Sequence, residues 1–294
     1  MTVRLGNYLE LIRAPAVLTV LGDTLAGGSA AGHEFSLRRL ALPLASACLY
    51  SGGMALNDYA DREIDARERP ERPIPSGRIS PARALATAGA LTATGLALGA
   101  AGGGRKSFKV ALPLAGCIWA YDLLAKPHRV AGPLIMGTCR ALDVFMGAGA
   151  GALRPAIVTA GILGTHTAGV TVLSRGEVHG TTTMIASAVA LSTILLCAII
   201  PAGRTPQQVQ KLAVLVASGV YASRCVPAQI RAAKNPTANN ALEATKVGIR
   251  AMVPLQAALS LRHGNFGAAG ALGIVDAVGK AIRLFRKTPE IGES

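Results

Sequence analysis

Long apolar runs recur along the chain at 14–32, 38–57, 81–102, 109–124, 131–152, 155–173, 183–201 and 210–228. Two weaker runs follow at 243–262 and 265–284, interrupted by Lys246, Arg250, Arg262 and Asp276. A membrane-crossing helix needs about 20 mostly apolar residues. The pattern therefore predicts an all-α, polytopic bundle with nine crossings, or ten if both of the last two segments cross. The first run could be read as a signal peptide with Ala30-Ala31 near a cleavage site. Asp23 inside it and the immediate arrival of a second run argue for a retained helix. With the amino terminus on the cytoplasmic side, the polar loops at 58–80, 125–130, 174–182 and 229–245 all face the cytoplasm. Their basic residues modestly outnumber those of the other side, as the positive-inside rule expects, with Arg105, Lys106 and Lys109 as exceptions. No repeat or low-complexity linker divides the chain, so one domain is expected over 1–294.

Composition agrees with a bundle in lipid. Of the 294 residues 51% are hydrophobic, and 34 are glycines, which let membrane helices approach closely. Aromatic residues are only 4%, so an interfacial aromatic belt would be thin. The formal charge of +14 could suggest nucleic acid. The basic residues instead sit at the ends of apolar runs, where they meet anionic lipid, and no nucleic-acid-binding module accompanies them. Membrane lipids are thus expected partners and nucleic acid is not. The five cysteines, at 48, 117, 139, 197 and 225, lie in or beside apolar runs without a C-x-x-C pair, so packing is their expected role.

The densest charge follows the second run. Asn57, Asp61 and Asp65 stand at helical spacing on one face, with Asp58 alongside. Three carboxylates on one face repel unless a cation lies among them. Mg²⁺ takes oxygen ligands, typically one or two carboxylates plus waters and substrate phosphates. Arg72 and Arg78 downstream offer planar donors suited to phosphate. The reading is a Mg²⁺–diphosphate site at a helix end. A solvated, charge-balanced loop is the alternative, but such a loop has no reason to repeat carboxylates every turn.

Asn57 to Asp65 reads N-D-x-x-D-x-x-x-D, which resembles the first aspartate-rich motif of the UbiA superfamily of intramembrane prenyltransferases. Arg72-Pro73-Ile74-Pro75-Ser76-Gly77-Arg78 resembles the segment that follows that motif, and Ser174-Arg175-Gly176-Glu177-Val178-His179-Gly180 resembles an EboC-like subgroup. The resemblance implies nine spans around a cytoplasm-facing cavity closed by the loops at 58–80 and 174–182. It implies transfer of an isoprenyl group from an allylic diphosphate to a nucleophilic, often aromatic, acceptor in a bacterial cell or organellar membrane. Asn57, Asp58, Asp61 and Asp65 would hold Mg²⁺. Asn57, Arg72, Arg78, Lys126 and Arg175 would contact the diphosphate, and Tyr121 would line the developing cation.

In most of the family the second loop carries another D-x-x-x-D pair. Here Glu177 replaces its second aspartate and Leu173 its first. Either Glu177 completes a thinner metal shell, with Arg175 and His179 taking some phosphate charge, or diphosphate ionisation is weakened. This degeneracy supports a rival reading, a non-catalytic lipid- or precursor-binding protein, or a transport partner, on a UbiA scaffold. Charges inside spans cost about 2.5–3.5 kcal/mol at a helix centre and so face cavities or one another. Arg140 and Asp143, three apart, are expected to pair or to join Asp23 and His166 in an acceptor pocket.

Overall fold

The computed structural model describes residues 5–34, 36–202 and 207–287. The outermost ends of the expected 1–294 domain lie outside the described residues. All ten apolar runs are helical over most of their length, and no strand occurs among the described residues. The order is α1 (Leu5–Leu11), a 3-10 turn (Ala14–Thr19), α2 (Leu21–Ala30), α3 (Ala41–Ala60), α4 (Arg62–Glu68) and α5 (Pro81–Ala120). There follow α6 (Ala131–Ala148), α7 (Leu153–Ser174), α8 (Thr183–Ile199), α9 (Gln208–Lys234), α10 (Ala238–Arg262) and α11 (Phe266–Lys287). Four helical stretches, Arg38–Ala60, Pro81–Ala125, Leu153–Ser174 and Gln208–Lys234, are long and apolar enough to cross a membrane by length and composition. Leu112, Ile157, Leu191, Leu195, Val216 and Ile274 turn outward, as befits a bundle whose surroundings are lipid.

The stretch 81–120 is helical almost throughout, yet it is two helical arms and not one long rod. Gly104 has φ 65°, a conformation that costs a side-chain-bearing residue dearly. A Cβ built on Gly99 would lie 3.4 Å from the Cβ of Ala111. In an unbroken helix twelve residues rise about 18 Å. Trp119 also donates to Thr92 Oγ1 at 3.2 Å across the same fold. The chain therefore reverses at Gly104 into two antiparallel arms, 81–103 and 105–120, and α3 packs along them.

Helix starts are legible in the caps. Ser80 precedes Pro81, and its hydroxyl accepts from the Arg83 N–H at 3.4 Å. Thr182 and Thr237 do the same for α8 and α10. Glycine serves the crossings. A Cβ on Gly147 of α6 would stand 2.7 Å from the carbonyl carbon of Thr24 on α2, and one on Gly27 would reach the backbone of Val144. Gly137 and Gly164 approach each other's carbonyls in the same way across α6 and α7. Gly147→Ala is expected to push α2 from α6 at a cost of about 1–3 kcal/mol. A thermal midpoint in detergent equal to wild type would show that the crossing tolerates the methyl.

The polar loops gather at one end of the bundle. Lys126 meets Asp61. Arg175 donates to the carbonyls of Lys126 at 2.9 Å and His128 at 2.7 Å. Thr181 donates its N–H to the Pro236 carbonyl at 3.0 Å. The alternation of spans predicts this gathering.

Candidate active site

Helix α3 runs almost directly into α4, with Asp61 as the joint. Asp58 and Asp65, two turns apart, are 4% and 3% exposed. One guanidinium serves both: Arg72 Nη1 donates to Asp65 Oδ2 at 2.6 Å and to Asp58 Oδ1 at 3.3 Å. Arg72 is held there because Ile74 and Ile79 are buried beside Leu11, Leu56 and Ala84. Each isoleucine contributes about 1.5–3 kcal/mol relative to exposure. Arg13 meets the same Asp58 oxygen at 3.4 Å. Its backbone is left-handed, φ 49°, the one such non-glycine among the described residues, which costs about 1–2 kcal/mol.

The opposing wall comes from the end of the second α5 arm. Residues Tyr121–Ala125 form a π turn, and the Lys126 N–H reaches back five residues to the Tyr121 carbonyl at 2.9 Å. Such turns re-aim the residues after them. Here the turn is followed by Lys126 on Asp61, while Asn57 Nδ2 donates to Asp122 Oδ1 at 3.0 Å. The carboxylate repulsion anticipated from the sequence is thus met by the protein's own bases. Asn57, Asp58, Asp61, Asp65 and Glu177 are not drawn into one preformed cluster. Among the described residues no three His, Cys, Asp or Glu side chains stand close enough to hold a metal ion.

Behind this mouth lies a cavity of about 400 Å³. Arg13, Asn57, Tyr121, Asp122 and Glu177 line its charged end, Leu49, Met54, Ile118 and Met252 its waist, and Ser46, Tyr50, Arg140 and Asp143 its deep end. Glu177 enters from the loop after α7, and burial pushes its carboxyl above the usual range against the opposing pull of Thr245 and Arg69.

Several expectations need correction. Arg140 does not pair with Asp143: it meets Asp23 on α2, because its long side chain crosses to the neighbouring helix while Asp143 accepts from Ser46. Gln256 completes the Asp23 site at 2.7 Å. His166 is no cavity residue; it is a buried core group, bonded to the Gly248 carbonyl at 3.0 Å and the Tyr221 hydroxyl at 2.7 Å. Arg78 lies away from the acid cluster, clamped on Glu10 at 2.5 and 3.0 Å. Arg175 staples the loop after Lys126 through backbone carbonyls and does not line the cavity. His179 is exposed on its loop.

The UbiA prenyltransferase family matches residues 20–242, most of the chain. The chain belongs to this family.

Among relatives, a digeranylgeranylglyceryl phosphate synthase of Ignicoccus hospitalis is 46% identical over 101 residues, covering 34% of this chain and 33% of that protein. The protein of the same name from Metallosphaera sedula is 36% identical over 148 residues, covering 49% of this chain and 51% of its own. The chain thus spans a third to half the length of these curated relatives. A solved structure concerned with digeranylgeranylglyceryl phosphate synthase superposes with TM-score 0.62 at 20% identity, covering 88% of this chain and 98% of that one. A UbiA homolog from Archaeoglobus fulgidus, bound to GPP and Mg²⁺, superposes with TM-score 0.60 at 18% identity, covering 90% and 99%. At such identities the likeness is one of fold. These relatives bear on the UbiA family and not on the EboC-like subgroup.

The apolar helices and the UbiA membership together make this an integral membrane protein. Sequence reading alone assigned no role to Arg13 or to Ser46, one small residue in an apolar run. A helical projection of α3 would have found Ser46, since it shares a face with Tyr50 and Asn57.

Proposed function

We propose that the chain transfers an isoprenyl group from an allylic diphosphate to a nucleophilic acceptor, with Mg²⁺. The observation that carries this is the junction of an acid–base mouth with an apolar-walled cavity. The mouth's ligands are all oxygen, which suits Mg²⁺ and no softer metal. Asp58 and Asp61 would hold it, with Asn57 and, from across the cavity, Glu177. When bound, the ion supplies charge compensation on the phosphate oxygens.

The remaining work falls to the chain's own side chains. Lys126 and Arg13 exchange their carboxylate partners for diphosphate oxygens, while Arg72 keeps Asp65 on Nη1 and offers its other N–H groups. They stabilise the charge that grows there as the bond from C1 to the bridging oxygen breaks and its electron pair leaves with the diphosphate. Tyr121, beside Asp122 on the wall, faces the positive charge left on the allyl group. Leu49, Met54 and Ile118 keep water from that carbon until the acceptor's lone pair bonds to it. The acceptor's proton then passes to a mouth carboxylate.

The relatives' name speaks for a glyceryl phosphate-type acceptor, and nothing comparable supports an aromatic one. The excess of Lys and Arg in the mouth loops supports a mouth on the cytoplasmic side.

The test is pyrophosphate release from geranyl, farnesyl and geranylgeranyl diphosphates by purified protein, with and without Mg²⁺, with membrane lipid extract supplying acceptor. Mg²⁺-dependent release that disappears in Asp58→Ala and falls in Asp61→Asn is the expected result. Tight binding of the same diphosphates without release from any of them would replace the enzyme with a lipid-precursor binder.

A further inference from the structure

Arg78 sits in the loop that follows the acidic face, yet its guanidinium has no donor left for a phosphate. Nε donates to Ser76 Oγ at 2.9 Å. Nη1 donates to Glu10 Oε2 at 2.5 Å and to Asn7 Oδ1 at 3.4 Å. Nη2 donates to Glu10 Oε1 at 3.0 Å and meets the Glu71 carbonyl. An arginine has five such N–H groups, and all are engaged. Ser76 and Glu71 belong to its own loop, whereas Asn7 and Glu10 belong to α1.

Helix α1 has little else to hold it. Seven residues are too few for a helix to sustain itself. Leu11 is its one buried residue and Tyr8 packs partly against the same apolar cluster, while Leu5 and Leu9 are exposed. A carboxylate gripped by both guanidinium nitrogens fixes orientation as well as distance.

What α1 carries toward the cavity is Arg13. The Arg13 N–H donates to the Glu10 carbonyl at 3.0 Å, and the Arg13 carbonyl accepts from the Ala16 N–H at 2.8 Å. Between those bonds the residue is left-handed, φ 49° and ψ 49°, a strained state that persists only where its surroundings impose it. Its side chain reaches Asp58 Oδ1 at 3.4 Å, the atom that Arg72 Nη1 meets at 3.3 Å. The loop after α4 therefore acts on one carboxylate by two routes. Arg72 touches it directly, and Arg78 reaches it through Glu10 and Arg13.

We infer that Arg78 is a positioning residue, which grips Glu10 and so holds α1 and the strained Arg13 at the charged end of the cavity. It touches no substrate itself. The inference rests on the reading of the mouth given above, in which Arg13 passes from Asp58 to diphosphate oxygens.

The test pairs a double-mutant cycle with hydrogen exchange, both on protein in nanodiscs. The cycle reads Mg²⁺-dependent pyrophosphate release from the best of the three diphosphates. Arg78→Leu is expected to lower kcat about fivefold when Arg13 is present and by less than about twofold in Arg13→Leu, since a residue acting through Arg13 then has nothing to place. Amides over residues 5–13 should exchange about fivefold faster in Arg78→Leu, the scale of a half-exposed ion pair, with α7 unchanged. Glu10→Gln should reproduce both effects, and Arg78→Lys should recover part of each. Equal falls in kcat with and without Arg13, or exchange over 5–13 as in wild type, overturns the positioning role. Exchange reads the clamp without any chemistry. Faster exchange in a protein that releases no pyrophosphate would uphold the clamp and sink the reading of the mouth, so the two proposals fail separately.

Discussion

Lys126→Met is expected to slow pyrophosphate release by about two to three orders of magnitude, the usual cost of removing one donor aimed at developing negative charge. The fold should survive the change. Lys126 and Asp61 are 25% and 20% exposed at the side chain, so Asp61 gains water when the ammonium goes. The loss of a partly solvated pair of this kind costs about 1 kcal/mol or less. Ground-state binding of a non-ionising thiolodiphosphate should weaken far less than the rate, because the charge that Lys126 offsets appears mainly as the bond breaks. Lys126→Arg, which keeps the charge on a different stem, should recover part of the rate. Release by Lys126→Met within about threefold of wild type would remove this residue from the catalytic assignment and leave it as a partner of Asp61 alone.

The all-helical bundle and the gathering of its polar loops at one end were legible because each follows from local periodicity. Apolar runs and the polar stretches between them are set over a few residues each. Features that depend on a partner from a distant stretch were not legible. The spacing of Arg140 and Asp143 permits a pair on one helix, yet Asp23 on α2 wins the guanidinium and Ser46 on α3 takes the carboxylate. Three residues of separation says that two side chains share a face, not that nothing better lies across the groove. His166 misled for a related reason, since Tyr221 and the Gly248 carbonyl satisfy it from two other helices.

The π turn at Tyr121–Ala125 left no mark in the pattern either, although it precedes the lysine that meets Asp61. The loop after α7 was half legible. Its departure from a paired-aspartate motif was plain, whereas the entry of Glu177 into the cavity wall depends on how Thr181 and Pro236 pin the loop.

The acid cluster makes a second demand, on stability. Arg72→Leu is expected to destabilise the protein by about 3–5 kcal/mol, the cost of removing one partner from a buried ion pair. The side chains of Asp58 and Asp65 are 6% and 5% exposed, so neither can turn to water as Asp61 can. Asp58 keeps Arg13 at 3.4 Å, but among the described residues Arg72 is the ion-pair partner of Asp65. The penalty should therefore sit mainly on Asp65, and Asp65→Asn in the Arg72→Leu background should recover at least half of it.

Unfolding in mixed detergent–SDS micelles measures the four corners of that cycle, and a coupling below about 0.5 kcal/mol would show that the two groups are independent. Arg78→Leu is the control. It breaks a pair with Glu10 whose side chains are 32% and 47% exposed, and it should cost no more than about 1 kcal/mol. Two arginines six residues apart in one loop are thus predicted to differ severalfold, because one closes the floor beneath two buried carboxylates and the other lies over water.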